Sequence, residues 1–185
     1  MSVLFVNACL RGDASRTLAL CRDYLADIDD VAEVDLAQLE LKPFTAELVE
    51  KRVRLQEEGR WDDPLFDLSH QFADADDIII GAPYWDQSFP AALKVYIEHV
   101  CVCGIPFEYT DKGECFGRCK ARRLTYITSC GGFIGEANYG YDYLCGIARM
   151  FGIPETRFVA AEGLDIVGMD VEARMDEARK QLAAL

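Results

Sequence analysis

Positive charge is scarce in this chain. Nineteen lysines and arginines stand against 32 aspartates and glutamates, a formal net charge of -13 at pH 7. That balance repels a nucleic-acid backbone, so nucleic-acid binding is not expected. Any phosphate must be held by local donors, such as the amides of a helix start and a few nearby arginines. Long apolar runs are missing too: 51% of the residues are hydrophobic, but no stretch approaches the roughly 18 uncharged apolar residues a membrane span needs. A protein with no membrane association is expected. Met1 to Asn7 runs straight into a strand pattern, with no basic region ahead of a long apolar core, so a cytoplasmic rather than secreted destination is expected.

Two nucleotide-binding signatures are absent as well. The first loop lacks the Gly-Lys-Ser/Thr ending of a P-loop and the spaced glycines of the dinucleotide fingerprint. Histidine is limited to His70 and His99. His99 lies mid-helix, off the stripe of Leu93, Ile97 and Val100, which points to a structural or interface role, and His70 has no visible partner. No repeat or low-complexity linker interrupts the chain, and 185 residues suit one domain, 1–185.

Cysteine, by contrast, is plentiful, with eight residues. Disulfide scaffolds are usually short, secreted and loop-rich, whereas Cys9, Cys21, Cys101 and Cys145 sit in or beside strongly patterned elements, so reduced thiols are expected.

The patterned elements alternate. Val3 to Val6 and Ile78 to Pro83, where the proline ends the pattern, read as strands buried on both faces; Leu124 to Thr128 and Phe158 to Ala161 read as two further strands. Val31 to Leu36 reads as an edge strand. Helical stripes comprise Leu18, Cys21, Leu25 and Ile28 from a Ser15 start, then Leu93, Tyr96, Ile97, Val100 and Cys101 after Pro90. Further stripes hold Leu144, Ile147 and Phe151, then Val171, Met175, Ala178, Leu182 and Leu185; Thr45 to Gly59 reads as a surface helix. This order predicts a three-layer α/β sandwich, a five-stranded parallel sheet of order 2-1-3-4-5 with helices on both faces. In such sheets the ligand lies outside the carboxyl ends of the strands, at the point where the order reverses.

Three loops should therefore converge. The first contains Arg11, Ser15, Arg16 and Thr17, the hydroxyls, charge and helix amides of a phosphate cradle. Ser15 alone would also serve as a plain helix cap. The second, Pro83-Tyr84-Trp85-Asp86-Gln87, mixes aromatic faces with polar edges, as a flat heterocycle requires; adjacent Tyr84 and Trp85 cannot both point inward. The third, Ser129-Cys130-Gly131-Gly132, ends a strand on a glycine pair that permits close backbone approach.

These segments resemble the flavodoxin-like FMN-dependent NAD(P)H oxidoreductases, the group of NADH azoreductases and NAD(P)H quinone reductases. Asn7-Ala8-Cys9-Leu10-Arg11 resembles that family's Asn-Ala-Ser-Pro-Arg loop, with Cys9 and Leu10 departing. Pro83 to Pro90 resembles its Pro-Met-Tyr-Asn-Phe-x-Ile-Pro segment, with Asp86 in place of asparagine and Gln87 of phenylalanine. Pro106 to Thr110 is similar to its Phe-x-Tyr-Thr turn, and Ser129 to Gly132 to its Ser-Arg-Gly-Gly loop. The resemblance implies bound FMN, NAD(P)H as co-substrate, and two-electron ping-pong transfer to a quinone-like or azo-like acceptor, with no single catalytic acid or base. It places Trp85, Phe107 and Phe133 near the substrate, sets Asp86 toward the flavin ring and implies a homodimer. Two other readings are a flavodoxin-like electron carrier and a metal or iron-sulfur flavoprotein built on Cys101, Cys103, Cys115 and Cys119, whose spacing matches no familiar ligand framework.

Overall fold

A computed structural model describes residues 1–185. In chain order the elements are β1 (Val3–Asn7), α1 (Arg16–Leu25), β2 (Val31–Asp35), α2 (Ala46–Glu57), α3 (Asp67–Asp74), β3 (Asp77–Gly81) and α4 (Ala91–Val100). There follow β4 (Phe107–Tyr109), β5 (Cys115–Gly117), β6 (Arg123–Ser129), α5 (Tyr139–Phe151), β7 (Glu155–Ala161) and α6 (Val171–Ala183). Five strands pair in parallel in the order β2-β1-β3-β6-β7. Because β4 and β5 pair only with each other, as an antiparallel hairpin, this is the 2-1-3-4-5 order expected from the sequence.

Successive strand residues face opposite sides. Val3, Phe5 and Ile79 pack with Leu18 and Cys21 of α1 and Met175 and Leu182 of α6. Leu4, Val6, Ile78 and Ile80 pack on the other side, with Phe72 of α3, Leu93 and Tyr96 of α4, and Leu144 and Phe151 of α5. Burial on both faces is why the central strands read as unbroken apolar runs. Each such side chain contributes about 1.5–3 kcal/mol when fully removed from water. No helix is long and apolar enough to cross a membrane.

Five details depart from expectation. Helix α1 stops at Leu25, so Ile28 packs on the core from the following turn. Leu185 likewise lies beyond the end of α6, and Pro90 caps α4 rather than joining its first turn. Helix α3 and the β4–β5 hairpin appear where no element was expected; eight residues and two strands of three are too short to show a period.

Candidate functional site

The parallel register sets Asn7 level with Gly81, and Gly81 level with Ile127. Pairing continues beyond the strands: Ala8 N donates to Gly81 O at 2.8 Å, Ala82 N to Ile127 O at 3.1 Å, Tyr84 N to Ser129 O at 3.1 Å and Cys130 N to Ala161 O at 2.8 Å. The loops after β1, β3, β6 and β7 consequently leave the sheet from one edge. They enclose a cavity of about 230 Å³.

The first loop supplies Leu10, Arg11, Ser15 and Arg16 to the cavity wall. Ser15 has extended backbone at the N-cap of α1, and its Oγ accepts from Leu18 N at 3.3 Å. The hydroxyl proton is not used in that bond and remains available to an acceptor in the cavity. The amides of Arg16 and Thr17 stand at the first helical positions, where an α-helix has no intrahelical acceptors to offer, so the positive end of the helix faces this wall. Thr17 does not line the cavity; it is fully buried, and its Oγ1 lies 2.7 Å from Ser129 Oγ, joining the first loop to the third. Cys9 turns inward as well: its amide donates to Asn7 Oδ1 at 3.0 Å and its thiol to Gly81 O at 3.5 Å. Burial pushes that thiol up to about 11.

From the second loop Pro83, Tyr84 and Trp85 line the cavity. Tyr84 is half-buried, its hydroxyl donating to Ala137 O at 2.8 Å, and Trp85 is exposed. The pair splits between interior and surface as adjacent residues in extended backbone should. Asp86 and Gln87 do not reach the wall. They form the tip of a two-residue hairpin in which Trp85 and Ser88 exchange backbone bonds of 3.0 and 2.7 Å. Both have left-handed backbone, φ 50° and 65°, the signature of a type I′ turn. Asp86 is exposed there, so its charge is largely screened by water.

The third loop contributes Ser129, Cys130 and Gly131, while Gly132 is exposed beyond it. The amide of Gly131 has no acceptor in the chain. The fourth loop adds Leu164 and Asp165, which sequence reasoning missed. The same rule about carboxyl ends of strands, applied after Ala161, would have found them, and Gly163 at φ 77° marks the bend.

Two aromatic residues expected near a substrate lie elsewhere. Phe107 is buried in the core, its ring 5.9 Å from that of Phe151 and nearly parallel to it. Phe133 lies outside the cavity wall and is exposed, with the Arg174 guanidinium 5.8 Å from its ring centre. His99 is structural: it is buried, its ring lies tilted against Phe44 at 4.5 Å, and its Nε2 donates to Lys42 O at 2.9 Å. His70 finds a partner in Trp61 O, at 2.9 Å. Cys101, Cys103, Cys115 and Cys119 do not form a group of three or more side chains placed to hold a metal ion. Burial pushes the Cys101 and Cys119 thiols up to about 11 and about 12.

The cavity thus joins anion donors at one end, from Ser15, Arg11, Arg16 and free amides, to an aromatic wall at the other. A family model described as flavodoxin-like fold matches residues 1–185. An FMN-dependent NADH:quinone oxidoreductase 2 of Clostridium acetobutylicum is 35% identical over 182 residues, spanning 92% of this chain and 90% of the relative. An FMN-dependent NADH:quinone oxidoreductase of Coprothermobacter proteolyticus is 30% identical over 195 residues, spanning 99% and 96%. Among solved structures, an FMN-dependent NADH-azoreductase from Bacillus anthracis in complex with FMN superposes with a TM-score of 0.84 at 19% identity, over 100% of this chain and 97% of that one, a likeness of fold. The chain belongs to the flavodoxin-like fold family, alongside the curated FMN-dependent NADH:quinone oxidoreductases.

Proposed function

We propose that the chain is a single-domain, cytoplasmic, FMN-dependent NADH:quinone oxidoreductase acting on quinone-like or azo-like acceptors as a homodimer. The observation that carries this reading is the pairing of an open helix terminus with an aromatic wall in one cavity of about 230 Å³. Ser15, the Arg16 and Thr17 amides and the Arg11 guanidinium suit a phosphate monoester. The Gly131 amide and the backbone after Pro83 suit the polar edge of a flat heterocycle, and the Trp85 ring suits its face or that of a substrate. These residues fit FMN.

FMN, when bound, supplies two-electron redox chemistry between a reduced nicotinamide and an acceptor. What the protein adds is position. Helix α1 and Ser15 would hold the phosphate end, and the loops after β1, β3 and β6 would hold the ring. Trp85, standing at the solvent side, gives planar substrates a surface to stack on. No histidine lies on the cavity wall and its one carboxylate is paired, in keeping with a site that orients rather than transfers protons. Donor and acceptor would use the Trp85 side in turn, giving ping-pong kinetics.

The test is steady-state turnover of the FMN-loaded chain with NADH and a neutral naphthoquinone, varying both. Parallel double-reciprocal lines are expected. Converging lines would contradict the alternating order, and absence of turnover in a protein that holds FMN would favour the electron carrier.

A further inference from the structure

Asp165 carries the one carboxylate on the cavity wall. Its Oδ1 lies 2.8 Å from Nη1 of Arg16, and the same Nη1 donates to Leu164 O at 3.2 Å. The Asp165 side chain is 71% exposed and that of Arg16 45%, so this ion pair contributes only about 0–1 kcal/mol to folding. Stability does not account for it. Nor does the carboxylate hold its own loop in place. Gly163 N donates to Gly132 O at 2.7 Å, Leu164 N to Cys130 O at 3.2 Å and Asp165 N to Gly131 O at 2.9 Å, so three backbone bonds fix the segment whatever the side chain. The neighbouring loop, moreover, leaves room for the group: a Cβ on Gly131 would stand 2.3 Å from Asp165 Oδ2.

We infer that Asp165 is a built-in competitor for the ligand's phosphate monoester, its carboxylate occupying Arg16 at the mouth of the anion site. The inference deepens, and rests on, the FMN reading of this cavity. A phosphate reaching the amino end of α1 meets a guanidinium already paired and a like charge beside it, and must displace the pairing while enduring the repulsion. The affinity of the site is therefore set below what its donors alone would give. Arg11 also lines this wall. Nearby, Glu162 is engaged with the Ile134 amide at 3.1 Å.

The experiment titrates the flavin-free full-length chain with FMN and with riboflavin, which has the same ring and no phosphate, following flavin fluorescence. Wild type is compared with Asp165→Asn, and with Asp165→Ser as a guard against contacts made by the new amide. Both variants bind FMN about three- to tenfold more tightly, the modest gain appropriate to an exposed charge, while riboflavin affinity is unchanged. FMN affinity that is unchanged or weaker in both variants, or an equal gain for both flavins, overturns the inference. Wild-type protein that binds neither flavin overturns the functional reading itself and the inference with it, a result distinct from FMN binding alike to all three proteins.

Discussion

Ser15 shows how one oxygen can serve fold and site together. Its lone pair caps α1 through Leu18 N, and its proton is left for a ligand. Ser15→Ala removes both, and should cost about 1 kcal/mol of stability from the lost cap and weaken FMN binding about ten- to a hundredfold. Ser15→Asp separates the two: the carboxylate still caps the helix, so denaturant midpoints stay near wild type, while the like charge drives FMN out. If Ser15→Asp binds FMN as well as wild type, Ser15 is a cap and nothing more. Gln87 illustrates the opposite case, a residue whose local conformation works against it. At φ 65° a side chain costs roughly 1–2 kcal/mol that glycine avoids, against roughly 0.5–1 kcal/mol of extra backbone entropy lost by glycine on folding. Gln87→Gly should therefore raise stability by about 0.5–1 kcal/mol in chemical denaturation, and a loss would mean that the Gln87 side chain makes a contact worth keeping.

At the scale of elements, legibility follows period and length. Strands β1, β3, β6 and β7 and the helices with clear apolar stripes could be read because burial on a sheet face or a helix face repeats at a fixed spacing. The β4–β5 hairpin could not, since three residues cannot display an alternation. Its place depends on a backbone contact that composition does not reveal. A Cβ at Gly117 would fall 1.9 Å from Gly152 N and 2.0 Å from Phe151 C, so β5 lies directly on the end of α5. Both partners are backbone and cannot swing aside. Gly117→Ala should cost about 3 kcal/mol, measured by urea denaturation, whereas a cost within 0.5 kcal/mol would show that the hairpin shifts freely. The site was legible to a similar degree. Arg11, Ser15, Arg16, Pro83, Tyr84, Trp85, Ser129, Cys130 and Gly131 do meet at one cavity, because loop chemistry plus the strand-end rule sufficed. Asp86 and Gln87 lie off this wall because they form the tip of a two-residue hairpin. Phe107 lies off it because its ring packs in the core against Phe151.

For the whole molecule, the net charge of -13 opposes compaction at neutral pH, yet some carboxylates work the other way. Asp76 accepts from Ser2 N at 2.9 Å, tying the chain start to the residue before β3, and this bond holds its carboxyl below the usual carboxylate range. A folded-state value below the unfolded one, about 3.9, means the contribution is complete above that pH and is lost as pH falls through the folded value. Wild-type stability should then decline more steeply below about pH 4 than that of Asp76→Asn, in denaturation curves taken from pH 6 to pH 3; matching slopes would show that the bond persists in the unfolded chain or makes no net contribution.

In the function proposed above, four strand ends of this acidic chain build one phosphate-anchored flavin site. The most direct measurement is the visible absorption spectrum of the purified protein, followed by chromatography of whatever heat releases from it. The account predicts a yellow protein, or a colourless one that becomes so on adding FMN, with FMN released at about one per chain and no FAD, because the chain carries no dinucleotide fingerprint for an adenylate half. A protein that is colourless and leaves added FMN unbound would contradict it.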